Sequence, residues 1–174
     1  MDGTGNELGR IEIDTNHAAA KSAAADFIRR HIPPKVDAQK KLDQALAEAR
    51  SSGRKVWVQL GGTRCGPCFM LSRWLDDHRD VLEKDYVFVK VDGVRDENGI
   101  EISKRVTGDR NFGIPFVAIM DSDGKVLIDG NGPFGNVGFP SEFESVQHLR
   151  RMFRTTATNM TEQEYEAILE TLDQ

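Results

Sequence analysis

The chain has 174 residues, of which 39% are hydrophobic and 29% are charged, and its formal net charge is −5. These values are typical of one globular domain with enough chain to bury a core. Basic residues are scattered along the chain, which argues against a nucleic-acid partner, and no apolar run approaches the ~20 residues that cross a bilayer. We therefore expect no nucleic-acid partner and no membrane span. We also expect the protein to be a monomer.

Residues 1–36 are predicted to form an N-terminal extension. Residues 1–16 are polar and lack the basic head and apolar core of an intact signal peptide. The alanine-rich stretch 18–31 predicts a short helix that ends before Pro33. The compartment is unknown from the sequence, and an exported or periplasmic protein whose signal was removed is favoured over a cytoplasmic one.

A longer helix is predicted to follow this extension. Apolar residues recur on one helical face from Asp37 onward, with Asp37 as the N-cap and Gly53 as the stop. The residues on this face are Ala38, Leu42, Ala45, Leu46 and Ala49. A second helical pattern begins at Phe69 and is predicted to continue to about Lys84.

Short runs of β-prone residues predict the strands 55–60, 86–92, 116–120 and 125–129. The turn residues 121–124 join the last two strands into a hairpin. A helical turn is also expected near residues 100–106. This order of elements predicts an α/β fold, in which a central mixed β-sheet is flanked by helices.

The C-terminal part of the chain is predicted to be helical after one loop. Residues 130–140 are rich in glycine and proline, so we predict a loop rather than a helix or strand. Ser141 is predicted to open a helix with the apolar face Phe143, Val146, Leu149 and Phe153. The last helix is predicted to begin at Thr161, whose partner Glu164 completes a T-x-x-E capping box.

The sequence Cys65-Gly66-Pro67-Cys68 contains both cysteines of the chain. Two thiols at this spacing can close a small disulfide and open it again. A helix that begins at Cys65 would expose that sulfur to unpaired backbone N–H groups, which stabilise a thiolate. Pro67 suits the first helical turn, where its missing N–H costs little.

Two other interpretations of the motif are half of a zinc site and a purely structural disulfide. A zinc site lacks a second ligand pair, because the histidines show no ligand spacing to the motif. A structural disulfide closing so short a loop would stabilise the fold little by loop closure. We therefore expect a redox pair, with no metal and no cofactor.

With these elements in order, residues 37–153 resemble the thioredoxin superfamily. The resemblance depends on the strand, the cysteine motif and its helix, and on Gly113-Ile114-Pro115 directly before the hairpin. It implies a thioredoxin-like fold with the N-terminal extension and with residues 154–174 as a helical extension packed on the domain. It also implies that Pro115 follows a cis peptide bond and faces the cysteines, and that the backbone at Ile114 pairs with an extended substrate.

The expected chemistry is thiol–disulfide exchange with disulfide-containing proteins. Cys65 is predicted to attack the substrate disulfide, and Cys68 to resolve the mixed disulfide. The Gly66-Pro67 dipeptide matches reducing members of the superfamily, so a reductase with an unidentified electron donor or acceptor is favoured. A disulfide oxidase or isomerase, and a binding module without redox activity, are the alternatives.

Three positions depart from the thioredoxin pattern. Arg64 stands where members of the family have tryptophan, either as a solvated cation or as a charge that favours the Cys65 thiolate and changes partner choice. Gln59 occupies the place of a buried acid that assists proton transfer, and Phe88 falls nearest the place of its lysine partner. Deprotonation of Cys68 is then expected to depend on water or another group.

Aromatic residues outside the motif are assigned mainly to the core. Trp57 and Trp74 lie in a predicted strand and a predicted helix, so we interpret them as core residues rather than site residues. Phe134 and Phe139 lie in the loop 130–140, and two roles are open for them. They either border the substrate groove or belong to a packed connector.

Overall fold

The structure is a computed structural model, and it describes residues 35–173. The helix predicted for residues 18–31 lies outside the described residues. Within the described part of the chain, no helix combines the length and apolar character that crossing a membrane requires.

The helices of the described chain are α1 (Ala38–Ser52), α2 (Gly66–Asp77), α3 (Arg79–Leu82), α4 (Gly99–Thr107), α5 (Phe143–Thr156) and α6 (Glu162–Leu169), which a 3-10 turn (Glu170–Asp173) follows. The strands are β1 (Lys55–Gly61), β2 (Tyr86–Asp92), β3 (Phe116–Met120), β4 (Val126–Asp129), β5 (Asn131–Gly132) and β6 (Gly135–Asn136). The predicted helices and strands from Asp37 to the β3–β4 hairpin are therefore present, with small differences at their ends.

The central sheet is mixed and has the strand order β2-β1-β3-β4. Strand β1 pairs in parallel with β2, antiparallel strand β3 lies on its other side, and β4 returns antiparallel to β3. The pairing of Leu60 with Phe116 places the end of β1 beside the start of β3. This register brings the segment after β1, which carries the cysteines, next to the segment that precedes β3.

Helix α1 has the ends that its sequence predicts. The Asp37 carboxylate accepts hydrogen bonds from the backbone N–H groups of Gln39 and Lys40. Gly53 ends the helix with a φ of 72°, a left-handed conformation that glycine adopts without a Cβ penalty. The five predicted apolar residues of this helix are buried.

Each face of the sheet carries its own hydrophobic cluster, because side chains alternate along a strand. Trp57 and Ile119 point to the face covered by α2, α5 and α6, where they pack with Trp74, Phe153 and Tyr165. Both tryptophans are thus core residues, as predicted. Their burial stabilises the face on which the cysteine helix lies.

The opposite face is covered by α1 and α4. Val56, Val58 and Ala118 of the sheet pack there with Leu42 of α1 and Ile102 of α4. Every residue of β3 is buried, as expected for a strand with a packed layer on each side.

The segment after α5 is fixed to the sheet by one buried carboxylate. Asp85 is fully buried, and its oxygens accept hydrogen bonds from the backbone N–H groups of Thr158 (2.8 Å), Asn159 (2.9 Å) and Met160 (2.7 Å). Thr158 Oγ1 also donates to Asp85, at 2.8 Å. Helix α6 then begins at the predicted capping box of Thr161 and Glu164.

Two helix boundaries differ from the prediction. The helix predicted to continue to about Lys84 ends at Asp77, because the backbone of His78 is not helical (φ −117°, ψ 19°) and α3 begins separately. The His78 ring packs edge-on against Trp74, and its Nε2 lies 2.9 Å from Oγ1 of Thr171 in the 3-10 turn. A contact with a segment far along the chain therefore accompanies this break.

The prediction for residues 130–143 was also partly wrong. Helix α5 begins at Phe143 rather than Ser141, because Glu142 is extended and its carbonyl accepts the first helical bond from Val146 (3.0 Å). Phe143 is 71% exposed and does not belong to the apolar face. The predicted loop contains the small β5–β6 hairpin, which turns at Pro133 and Phe134 and whose strand β6 begins at Gly135 with a φ of 105°.

Candidate active site

Cys65 and Cys68 form a disulfide at the first turn of α2, with an S–S distance of 2.11 Å. Cys65 is the N-cap of the helix, and its Sγ lies 3.1 Å from the backbone N–H of Cys68. Cys65 is partly exposed, whereas Cys68 is only 6% exposed. A thiolate on Cys65 would therefore be stabilised by the unpaired N–H groups and the positive end of the helix dipole. Cys65 is also the cysteine whose sulfur a partner can reach.

The backbone before Cys65 approaches the disulfide closely because two glycines precede it. A Cβ on Gly61 would lie 3.2 Å from Cys68 Sγ, which is closer than most side-chain contacts. The turn is closed by a hydrogen bond from Cys65 N to Gly62 O (3.1 Å) and by one from Thr63 N to the Asp92 carboxylate (3.2 Å). These contacts hold the cysteine motif against the ends of β1 and β2.

The peptide bond between Ile114 and Pro115 is cis, as the resemblance implies. Pro115 is buried, and Ile114 is 44% exposed. Ile114 lines a cavity of about 550 Å³ together with Arg64, Cys65, Gly66 and Pro67. Five of the predicted site residues thus lie around one opening beside the disulfide.

Gln59 lies behind the disulfide and is 4% exposed. Its Nε2 donates to the backbone oxygen of Cys68 and to Ser72 Oγ, both at 3.2 Å. Its Oε1 is buried and has no hydrogen-bond partner among the described residues. Gln59 therefore holds the first turn of α2 without offering a group that can exchange a proton.

Phe88 lies on β2 opposite Trp57, and the two ring centroids are 6.0 Å apart. The Arg79 guanidinium carbon lies 5.9 Å from the centroid of the Phe88 ring. The position carries a packed ring and no charge of its own.

Within residues 35–173, no group of three His, Cys, Asp or Glu side chains is arranged to hold a metal.

Asn136 in the β5–β6 hairpin is a residue near this site that the sequence did not indicate. Its Nδ2 donates to the backbone oxygens of Gly113 (2.8 Å) and Pro115 (3.0 Å), the residues on either side of Ile114. The turn residues Gly132 to Gly135 could have indicated the hairpin, but no local pattern indicates where the Asn136 side chain points.

The two phenylalanines near this hairpin have separate positions. Phe139 is partly buried and packs against the cluster that contains Trp57, so it belongs to a packed connector. Phe134 is 86% exposed and lines shallow cavities with Glu144 rather than those beside the disulfide.

Comparison with known proteins agrees with this geometry. A family model described as thioredoxin-like matches residues 37–122. A disulphide isomerase from Xylella fastidiosa is 22% identical with a TM-score of 0.51, over 82% of this chain and 97% of that chain. A redox protein from Chlamydomonas reinhardtii is 16% identical with a TM-score of 0.51, over 83% of this chain and 45% of that chain. No curated protein matches the chain in sequence.

The mixed sheet, the disulfide at a helix start and the cis proline define a thioredoxin-like protein with a C-x-x-C disulfide. Residues 37–122 belong to the thioredoxin-like family. The solved structures are less than 25% identical to it, so they establish the fold that it shares with them.

Proposed function

We propose that the protein is a thiol–disulfide oxidoreductase that reduces disulfides of other proteins through Cys65 and Cys68. The observation that carries the proposal is a helix-capping disulfide with one accessible and one buried sulfur. This asymmetry supports Cys65 as the thiol that attacks the substrate and Cys68 as the thiol that resolves the mixed disulfide.

The reaction consists of two exchanges. The Cys65 thiolate attacks one sulfur of the substrate disulfide, forms a mixed disulfide and expels the other substrate sulfur as a thiolate. Cys68, after losing its proton, attacks Cys65 Sγ, which re-forms the Cys65–Cys68 disulfide and releases the second substrate thiolate. Two electrons have then moved to the substrate, and a dithiol donor must reduce the protein again.

The resolving proton has no carboxylate to receive it at Gln59. Gln59 Oε1 is buried without a hydrogen-bond partner among the described residues, and an amide oxygen does not take up a proton at neutral pH. A cavity of about 330 Å³ that Gln59, Cys65 and Cys68 help to line supports water from solvent as the acceptor of the Cys68 proton.

The first test is reduction of insulin disulfides with dithiothreitol as the electron donor. We expect the protein to accelerate this reaction. We also expect the reduction potential of its dithiol pair to lie closer to that of reducing thioredoxin, about −270 mV, than to that of a strong disulfide oxidant, about −120 mV. Equilibration with glutathione buffers measures the potential. A potential above about −180 mV would favour the oxidase or isomerase alternative. If Cys65 reacts with iodoacetamide at pH 7 no faster than the cysteine of a free peptide, this result would favour the alternative of a binding module without redox activity.

The role proposed for Ile114 leads to a prediction for Asn136. Asn136→Ala removes both hydrogen bonds to the carbonyls beside Ile114, so we expect KM for insulin to rise by up to about 30-fold, since each bond contributes about 1 kcal/mol and 1.4 kcal/mol corresponds to a factor of ten. The kcat value and the alkylation rate of Cys65 should stay close to wild type.

Asn131→Ala is the matched control, because Asn131 pairs with Asn136 in the same hairpin and its side chain is exposed. An Asn136→Ala protein with wild-type KM would contradict the positioning role.

A further inference from the structure

An apolar pocket lies next to the cavity at the disulfide. The pocket has a volume of about 420 Å³, and its apolar lining includes Leu60, Val94, Ile100, Phe112 and Ile114. It shares Gly62, Val94 and Ile114 with the cavity of about 550 Å³ that contains Cys65. The two therefore form one groove that leads from Cys65 over Ile114 into the apolar pocket.

Several apolar side chains of this groove face solvent. Val94 is 90% exposed, Ile100 is 58% exposed and Ile114 is 44% exposed. A cluster of exposed apolar groups beside a reactive centre indicates a surface that a partner covers. A Cβ on Gly62 would lie 3.5 Å from Ile114 Cδ1, so the glycine leaves the passage between the two cavities open.

The charges beside Cys65 are predominantly positive. Arg64 and Arg95 both line the cavity at the disulfide. Within the described chain, neither guanidinium makes a hydrogen bond or a salt bridge, although Arg95 interacts electrostatically with Asp92. The whole protein, by contrast, has a formal net charge of −5.

The two acidic residues that line the groove, Asp92 and Asp109, have partners within the protein. Partial burial raises the pKa of Asp92, but hydrogen bonds from the backbone N–H groups of Arg95, Val94 and Thr63 outweigh this and lower it. Asp92 therefore stays ionised while its oxygens are occupied. At the far rim of the pocket, Lys104 lies 3.9 Å from Asp109, and Arg110 pairs with Asp129.

We propose that the groove selects substrate segments with an acidic residue beside the reactive cysteine and a large apolar side chain that enters the pocket. This inference rests on the proposed function and deepens it by naming the class of substrate. The acidic side chain would be attracted to Arg64 and Arg95, while the apolar side chain would cover Val94, Ile100 and Ile114.

The test uses disulfide-linked peptides of equal length, in which one side of the cysteine is Glu or Lys and the other is Leu or Ser. We expect wild-type protein to reduce the Glu/Leu peptide about five- to tenfold faster, as kcat/KM, than the Lys/Leu or Glu/Ser peptide. The Glu-over-Lys preference should shrink in about 1 M salt, where screening extends over only about 3 Å.

Two variants separate the parts of the groove. Arg95→Glu should remove or reverse the Glu-over-Lys preference, and Ile100→Ser should remove the Leu-over-Ser preference. Because each result is a ratio between peptides, a change in the reactivity of Cys65 cancels. Arg50→Glu is the control, since Arg50 lies at the end of α1 near the start of β1, away from the cysteines, and its side chain is 55% exposed.

The outcomes separate this proposal from the proposed function. If wild-type protein reduces all peptides equally well, the substrate preference is wrong and the reductase function stands. If no peptide and no insulin is reduced, the function fails, and the groove is then tested by fluorescence anisotropy with labelled peptides in which serine replaces cysteine. Tighter binding of the Glu/Leu peptide would support the groove, and equal binding of all peptides would overturn it.

Discussion

Cys65→Ser is expected to lower the rate of insulin reduction by roughly 10³-fold or more, because the variant lacks the proposed nucleophile. Serine is itself a good N-cap, so α2 should keep its first turn and the folded structure should persist. The measurement is the dithiothreitol-coupled insulin assay, with the free energy of unfolding compared between variant and wild type under reducing conditions.

Cys68→Ser is the matched variant, and it should fail in a different way. Cys65 can still attack, but no buried thiol resolves the product, so a mixed disulfide with the substrate should accumulate and be visible on a non-reducing gel. A Cys65→Ser protein with unchanged activity would contradict the assignment of the nucleophile. A Cys68→Ser protein that traps nothing would contradict the order of the two exchanges.

Asp85→Asn is expected to lower the free energy of unfolding by about 2–4 kcal/mol at pH 7. The wild-type carboxylate accepts backbone N–H groups of Thr158, Asn159 and Met160 in a fully buried position. An amide has only one accepting oxygen, so its NH₂ group would face a backbone donor and leave it unsatisfied. Urea unfolding measures the change.

The same contacts make this contribution dependent on pH. Burial raises the pKa of Asp85, but hydrogen bonds from Met160, Thr158 and Asn159 outweigh it, so the pKa lies below its usual value. A carboxylate whose pKa is lower in the folded state stabilises the folded protein fully at pH values above its unfolded-state pKa of about 3.9. It loses this effect as the pH falls through its folded-state pKa. The difference between wild type and Asp85→Asn should therefore shrink below about pH 4.

Asp123→Asn is the control for this prediction, because the Asp123 side chain is 85% exposed and approaches Arg50 only at 3.7 Å. Its effect on the free energy of unfolding should stay within about 0.5 kcal/mol. Equal effects of the two substitutions, or a difference from wild type that does not depend on pH, would contradict the anchoring role of Asp85.

Helix α1 and the helix ends near Thr161 show which features can be predicted from sequence. Asp37, Gly53 and the pair Thr161 and Glu164 act within one helical turn, so local chemistry alone defines those ends. The break at His78 could not be predicted in this way. The apolar pattern continues through it, and the ring instead contacts Thr171, far along the chain.

The sequence by itself determined the disulfide-forming pair Cys65 and Cys68, its place at a helix start and the segment with the cis proline, because these features depend on neighbouring residues and on a motif that a known family shares. Only the tertiary structure decided that Asn136 holds the carbonyls beside Ile114 and that Asp85 anchors the segment after α5. It also decided that Arg64 and Arg95 line one groove with an apolar pocket beyond Ile114. Such contacts join residues that are distant in sequence, and which donor meets which acceptor depends on how strands and loops pack.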